Sequence, residues 1–355
     1  MRYYFHYSNL ILGTILTIML FSFSFILVEA ISGDWIDKSY GLSGKYTSAL
    51  VINPKNHVVL YAAMYGDGIF KSIDAGQSWL PVNKGLETAK DKQIVSLTID
   101  PMNPKILYAG TNTAKIFRSL NEGNSWQLVN KGIQPGTVFS TEIFSLQIDP
   151  TNSYKLYVAT STGIYQSKDN GDNWNRIGYR DTGLENSFNK GIAIDRSDPR
   201  ILYVASQKGV FKSTNEGKNW IAIGPEEAYI LCLVIHPLNP NLIYVGTNKG
   251  LLISSNGGKS WREGSLKSEI TGNLPSVKSL IINPSYPQEI YAATGVGIYY
   301  SSDGGEKWKE IKPKKRLLFW TSNDLAIDFY DPVSIYSAAN GFRDKPGGFV
   351  WKYTY

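Results

Sequence analysis

The sequence predicts an all-β fold, a single seven-bladed β-propeller of four-stranded antiparallel blades. Three observations lead there. The pattern Ser-x-[Asp/Asn]-x-Gly-x-[Ser/Asn/Lys]-Trp occurs six times, at 72–79, 119–126, 167–174, 213–220, 254–261 and 301–308. Its tryptophans are spaced 47, 48, 46, 41 and 47 residues apart, the period of an array of one supersecondary unit. A seventh, incomplete unit is divided between the two ends of the chain.

The second unit shows the elements in order. Residues 94–100 form a β-branched, half-alternating run, and Pro101-Met102-Asn103-Pro104 is turn chemistry. Residues 106–110 read as a second strand ended by Thr111-Asn112-Thr113, and 116–119 as a third. The Asn121-Glu122-Gly123 turn leads to a fourth at 126–129, with no helical period anywhere in the unit. A meander apolar on both faces must be sandwiched between neighbours, and radial repetition achieves this.

The repeated turn has its own logic. The Ser hydroxyl (Ser72 in the first copy) and the Asx oxygen can accept from nearby backbone N–H groups. The glycines Gly76, Gly123, Gly171, Gly217, Gly258 and Gly305 permit a positive φ. The tryptophans Trp79, Trp126, Trp174, Trp220, Trp261 and Trp308 start the outer strand and can fill the wedge between blades. Calcium binding would need carboxylates, yet the acidic position is Asp74, Asn121, Asp169, Asn215, Asn256 and Asp303, half of them neutral. Such a position asks for an acceptor and not a charge, so we expect architecture and no metal.

Residues 324–328, 334–339 and 348–352 match the first three strands of a further unit, after which the chain stops. Residues 34–42 read like 78–86, so the N-terminal segment is expected to supply the outer strand of the last blade and shut the ring. The propeller is placed at 32–355 and a leader at 1–30. Residues 10–28 carry no charge, Arg2 precedes them, and Val28-Glu29-Ala30 offers small residues at a peptidase spacing. The leader is either a signal peptide cut after Ala30 or an uncleaved membrane anchor. Both readings put the propeller outside the cytoplasm, as a secreted, periplasmic or outward-facing anchored protein.

Cys232 is the single cysteine, so no internal disulfide staples the fold. The formal charge is +6, a mild excess that excludes neither class of partner. One basic cluster, 312–316, is followed by Leu317-Leu318-Phe319-Trp320. It is either a solvated loop or a patch for an acidic partner, headgroup or polysaccharide. Nucleic acid is not expected, because basic and aromatic residues are not repeatedly interleaved.

Segments that depart from the repeat are where binding can be built. They are the loops entering the inner strands (87–93, 134–142, 179–190, 267–276, 312–323) and those between middle strands (65–68, 341–345), all on the face away from the repeat turns. The candidate contacts are Tyr65, Asp67, Arg180, Asp181, Phe188, Arg316, Trp320 and Arg343.

The repeat resembles the Asp-box (BNR) repeat over nearly all of the chain beyond the leader. That resemblance implies the propeller but no single activity, since sialidases, xyloglucanase-type glycosidases, sortilin-like receptors and photosystem II assembly factors share it. Residues 100–111, Asp-Pro-x-Asn-Pro-x-x-Leu-Tyr-Ala-Gly-Thr, are most similar to exported glycosidase-like and assembly-factor propellers. The sialidase tetrapeptide Phe/Tyr-Arg-x-Pro is absent. Glycoside hydrolysis needs two carboxyl groups about 5–10 Å apart, and xyloglucanase-type enzymes set them between two propellers, where this chain has one. Asp100, Asp149, Asp195 and Asp328 recur at inner-strand ends, replaced by Asn53, His236 and Asn283 in the other units, as turn residues would. The three histidines, His6, His57 and His236, have no local partner for a metal site or a triad. The expected protein is a monomeric, cofactor-free, exported scaffold that docks a protein, or secondly a glycan. A glycoside hydrolase with carboxylates such as Asp67 and Asp181 across the channel mouth is the alternative.

Overall fold

The computed structural model describes residues 34–134, 141–178, 182–185, 187–225, 229–268, 272–312, 322–330, 333–340 and 348–354. Among them there is no helix, and the strands form seven four-stranded sheets. In chain order, β1 is Trp35–Asp37, and the first blade is β2 (Thr47–Ile52), β3 (Leu60–Met64), β4 (Gly68–Ser72) and β5 (Leu80–Pro81). The second is β6 (Ile94–Ile99), β7 (Leu107–Thr111), β8 (Ile116–Ser119) and β9 (Gln127–Leu128); the third is β10 (Ile143–Asp149), β11 (Asn152–Thr160), β12 (Ile164–Ser167) and β13 (Asn175–Ile177). The fourth is β14 (Asn189–Ile194), β15 (Leu202–Ser206), β16 (Gly209–Ser213) and β17 (Ile221–Gly224); the fifth is β18 (Ile230–Ile235), β19 (Ile243–Thr247), β20 (Gly250–Ser254) and β21 (Arg262–Glu263). The sixth is β22 (Val277–Ile282), β23 (Ile290–Thr294), β24 (Gly297–Ser301) and β25 (Lys309–Glu310); β26 (Ser322–Asp328), β27 (Ser334–Asn340) and β28 (Gly348–Thr354) belong to the seventh.

The inner strands touch in a closed cycle, β2 to β6, β10, β14, β18, β22, β26 and back to β2. The seventh sheet runs β1-β28-β27-β26, so the N-terminal strand completes the last blade, antiparallel to β28 with Trp35 opposite Tyr353. The outer strands are shorter than the apolar runs suggest, two residues in four of the blades. They form the rim, and β5, β9 and β21 are exposed at both of their residues. The second strands are the reverse, buried at every residue in blades one, two, four, five and six. The core therefore lies between blades; one apolar cluster joins Tyr61 and Ile69 of the first to Leu107, Phe117 and Trp126 of the second.

The repeat tryptophans bond across blades as well as filling the wedge. Trp79, Trp126, Trp174 and Trp261 donate their indole N–H to the carbonyls of Lys38, Val82, Val129 and Ile223 in the preceding blade, at 2.7–2.8 Å. Trp35 does the same to Ile311 at 3.0 Å, so it is the seventh member of the set. Trp308 bonds within its own turn instead, and the buried indole nitrogen of Trp220 has no partner.

Inside the repeat turn, Ser72 Oγ accepts from Gly76 N at 2.8 Å and donates to Asp74 Oδ1, which also takes Ser78 N. Where the acid is present the Ser78 hydroxyl donates to Asp74 Oδ2 at 2.6 Å, and where it is an amide Asn121 Nδ2 donates to Ser125 Oγ at 2.9 Å. The two versions differ only in which partner gives the proton, which explains why Asp and Asn interchange. The Ser78 hydroxyl, ahead of the other donors, holds the Asp74 carboxyl down at about 2. The residue before the turn glycine is left-handed too, as at Ala75 and Glu122, and its N–H donates to the hairpin joining the first two strands of the same blade (Val58 O, Lys105 O). Both sets of turns thus share one face of the ring. A Cβ on Gly123 would stand 3.1 Å from the ring of Tyr61 in the neighbouring blade, so that glycine serves a close approach besides its φ of 81°.

Candidate functional site at the channel mouth

Every inner strand departs from regular pairing at the same place. The register slips between Thr47/Ala49, Ile94/Ser96, Ile143/Ser145, Asn189/Gly191, Ile230/Cys232, Val277/Ser279 and Ser322/Asp324. A β-bulge leaves one residue outside the ladder and re-aims its side chain. Seven bulges at one height place Ser48, Val95, Phe144, Lys190, Leu231, Lys278 and Asn323 in one ring. The slips lie at the start of each inner strand, the end that faces away from the repeat turns. On that face the middle-strand turns bond to the entering loops, as Gly66 N does to Lys92 O and Gln207 N to Phe188 O.

Ser48, Val95, Phe144 and Asn323 line a cavity of about 260 Å³ together with Tyr46 and Glu142. Its lining is aromatic and polar with one acid, Glu142, and two lysines of the bulge ring, Lys190 and Lys278, reach its Phe144 and Asn323. Tyr46 and Tyr65 stack at 4.8 Å and 12°, and Asn112 Nδ2 donates to the Tyr65 hydroxyl at 2.6 Å. Lys190 Nζ lies 3.6 Å from the Phe144 ring centroid and 5.4 Å from that of Phe188. Lys278 Nζ donates to Asn323 Oδ1 at 3.1 Å. Burial lowers both ammonium groups, opposed at Lys190 by the charge of Glu142. Among the described residues neither lysine forms an ion pair.

Of the candidates read from sequence, Tyr65 and Phe188 join this mouth through Tyr46 and Phe144. Asp67 sits in the same turn as Tyr65 and lines neither cavity of the channel. Arg180, Asp181, Arg316, Trp320 and Arg343 lie outside the described residues. Sequence reasoning missed Tyr46, Phe144, Lys190, Lys278 and Asn323. The signal was there in register: the position two residues before the recurrent Leu50, Leu97, Leu146, Leu233, Leu280 and Leu325 is the one that changes character from blade to blade.

Just inside the ring, Asp324 accepts from Leu50 N (3.2 Å), Ser279 Oγ (3.0 Å) and Leu325 N (2.9 Å), joining the inner strands of three blades across the closing seam. Burial outweighs these donors and pushes its carboxyl from 3.8 up to about 6. The folded state therefore holds this proton more tightly than the unfolded chain. The resulting stabilisation is full below the unfolded value and is lost as pH rises through about 6. A shift of two units corresponds to roughly 3 kcal/mol. We expect this one contribution to be lost between about pH 4 and 6, and thermal melts of Asp324→Asn to lack that component of the native protein's pH dependence.

The other end of the channel is larger and apolar, a cavity of about 580 Å³. Its wall includes Ile99, Ile148, Ile194, Ile235 and Ile282 and the turn prolines Pro54, Pro101, Pro150, Pro237 and Pro284. The recurrent turn residues act here as pins. Asp100, Asp149, Asp195 and Asp328 each accept the N–H two residues on, as do Asn53, Asn283 and Nδ1 of His236. Burial of the imidazole lowers the His236 pKa, in keeping with a neutral acceptor. Cys232, with its thiol pushed up to about 12 by burial, faces Val277 O and is inert in this setting. Among the described residues no cluster of ligating side chains could hold a metal ion.

A family model described as Sortilin-Vps10 (sortilin, neurotensin receptor 3) matches residues 67–210 and 208–340. No curated protein matches the chain. Among solved structures, a GH74 xyloglucanase from Xanthomonas campestris superposes with a TM-score of 0.70 at 17% identity, over 90% of this chain and 55% of that one. YCF48 bound to D1 peptide gives 0.67 at 15%, over 91% and 95%. The extracellular domain of a hybrid two component system from B. thetaiotaomicron gives 0.66 at 14%, over 90% and 39%. The chain spans about half the length of the xyloglucanase, and at these identities what is shared is the propeller.

Proposed function

The chain belongs to the Sortilin-Vps10 family, and from that premise we propose that it is an exported binding propeller that docks a protein segment at the bulge ring. The observation that carries this reading is the ring itself: two part-buried lysines, Lys190 and Lys278, without ion-pair partners among the described residues, beside the aromatic wall of Tyr46, Tyr65, Phe144 and Phe188. Cations held in a concave, partly dry mouth are completed by an anionic group, and the flat rings suit the apolar parts of an extended peptide. Export is supported by the uncharged run at 10–28 and by extracellular neighbours in structure space.

Hydrolysis is the competing activity. Glu142 is the one carboxylate among the residues lining the mouth cavity, and Asp324 is committed to three hydrogen bonds. An acid and base pair would have to come from elsewhere. The test is capture of partners from the native envelope by the exported protein, beside xyloglucan and a glycan array. We expect a captured protein, and at least about tenfold weaker capture by Lys190→Ala/Lys278→Ala, since losing a buried charge partner costs 2–5 kcal/mol. Release of sugar from xyloglucan, or capture unchanged in the double variant, would overturn the reading.

A further inference from the structure

The turn face opposite the bulge ring has an exposed apolar ring that peptide docking does not use. Met102, Leu238, Tyr286 and Tyr330 project from four different inner-hairpin turns and Tyr154 from the start of β11 beside the third blade's hairpin, all 62–77% exposed. Ile73 and Leu120 stand beside them in the repeat turns at 69% and 55%. Scattered apolar residues are ordinary, but a set at or beside the same structural turn, repeated around one face, is a surface. These turns are short and pinned: Asp100, His236 and Asp328 hold the N–H groups of Met102, Leu238 and Tyr330, and Tyr330 packs on His57 at 4.1 Å. The hairpin of the fourth blade instead presents Arg196 and Arg200, and Lys55 and Lys105 are exposed between the apolar positions. Tyrosine, methionine and leucine tips interspersed with long cations are the composition that settles at a lipid headgroup boundary.

Chain direction supplies the second observation. Each outer strand starts at the repeat-turn face, and β1 pairs antiparallel with β28 so that Trp35 meets Tyr353 near the far end of that strand. Both Asp34 and Thr354 therefore stand where a seventh repeat turn would be. Six residues upstream of β1 the sequence carries 10–28, a run without charge and of nearly membrane-spanning length. The chain therefore enters the propeller, at Asp34, on the face bearing the exposed ring and not on the face bearing the bulges.

We propose that this turn face rests on a lipid bilayer surface, with Met102, Tyr154, Leu238, Tyr286 and Tyr330 inserted among the headgroups and the bulge ring directed away from it. The orientation leaves the docking mouth open to a partner approaching from the aqueous side. It holds whether the leader stays as an anchor or is removed, since the contact belongs to the propeller.

The test is vesicle flotation of residues 34–355, a chain that contains every strand of the closed ring, with vesicles of phosphatidylcholine and phosphatidylglycerol in equal parts. The wild-type protein is expected to float, and to keep floating in high salt because apolar insertion is not screened. Met102→Ser/Leu238→Ser/Tyr286→Ser/Tyr330→Ser is expected to reduce the bound fraction on the order of tenfold or more. These side chains are solvent-exposed, so its melting temperature serves as the check on folding, with Leu238→Ser alone as a milder variant. Tyr229→Ser, on the opposite face, should float as wild type. Absence of flotation by the wild-type protein, or equal flotation by the fourfold variant, overturns the proposal. So does sedimentation as a dimer that the fourfold variant abolishes without any binding to vesicles, which would make the face a self-contact.

Discussion

Removing residues 34–42 is expected to abolish the cooperative fold and not merely to trim it. The deletion takes away β1, the antiparallel partner of β28, and exposes that strand's ladder groups as an open edge. It also takes Trp35, buried against Tyr353 at 5.3 Å with its indole bonded to Ile311. The damage spreads into the first blade, because Trp79 loses Lys38 O for its indole and Tyr40 O for its backbone N–H. A buried Trp→Ala change alone costs about 3–5 kcal/mol. Against a total stability of roughly 5–15 kcal/mol, the sum of strand, ring and orphaned groups is not survivable. Trp35→Ala should retain the fold with a melting temperature lower by on the order of 10 °C, given about 2–4 °C per kcal/mol in a chain of this size class. Thermal melts and limited proteolysis of the two variants check both statements. A truncated chain melting within a few degrees of the intact one would show that the ring does not need its seam.

The asymmetry between what the sequence made plain and what it hid has a physical cause. Tryptophan, glycine and the Asx turn recur because each blade must meet the next in the same way, so they can be counted, and the count led to the blade number and to β1. The turn residues could be read for the same reason: Asp100 and His236 look chemically unlike, yet both accept the N–H two residues on. The mouth was harder. Lys278 sits in a strand that otherwise reads as core and Lys190 reads as the last residue of an entering loop, and only the bulge turns them into the channel. A bulge leaves no residue-type signature here, since Ser48, Val95, Phe144 and Leu231 occupy it equally well. Loop departures did lead to Tyr65 and Phe188, which reach the mouth by packing on Tyr46 and Phe144. The apolar cavity at the far end was hidden by the same uniformity that made the blades countable. Its isoleucines and prolines are the repeat itself, seen from the axis.

The repeat tryptophans offer a sharper trial of architecture against binding, because the set contains its own control. Trp126 fills the wedge between two blades and donates to Val82 O at 2.8 Å, whereas Trp220 fills the next wedge but one with its indole nitrogen unpartnered against the Gly178 backbone. Each Trp→Ala change should cost about 3–5 kcal/mol from lost packing. The Phe variants separate the hydrogen bond from the ring. Trp126→Phe keeps most of the apolar fill but strands the Val82 carbonyl, an expected loss of about 1–3 kcal/mol. Trp220→Phe removes a buried donor that has no acceptor, so it should be close to neutral or stabilising by the same accounting. Chemical denaturation of the four variants measures the difference directly. Well below their melting temperatures, all four should capture partner as the native protein does, while Lys190→Ala/Lys278→Ala should melt normally and fail to capture. If Trp220→Phe proves as destabilising as Trp126→Phe, the indole bond is not what distinguishes these wedges. If a tryptophan variant loses capture while still folded, the shared turns contribute to binding, and the division between repeat and mouth fails.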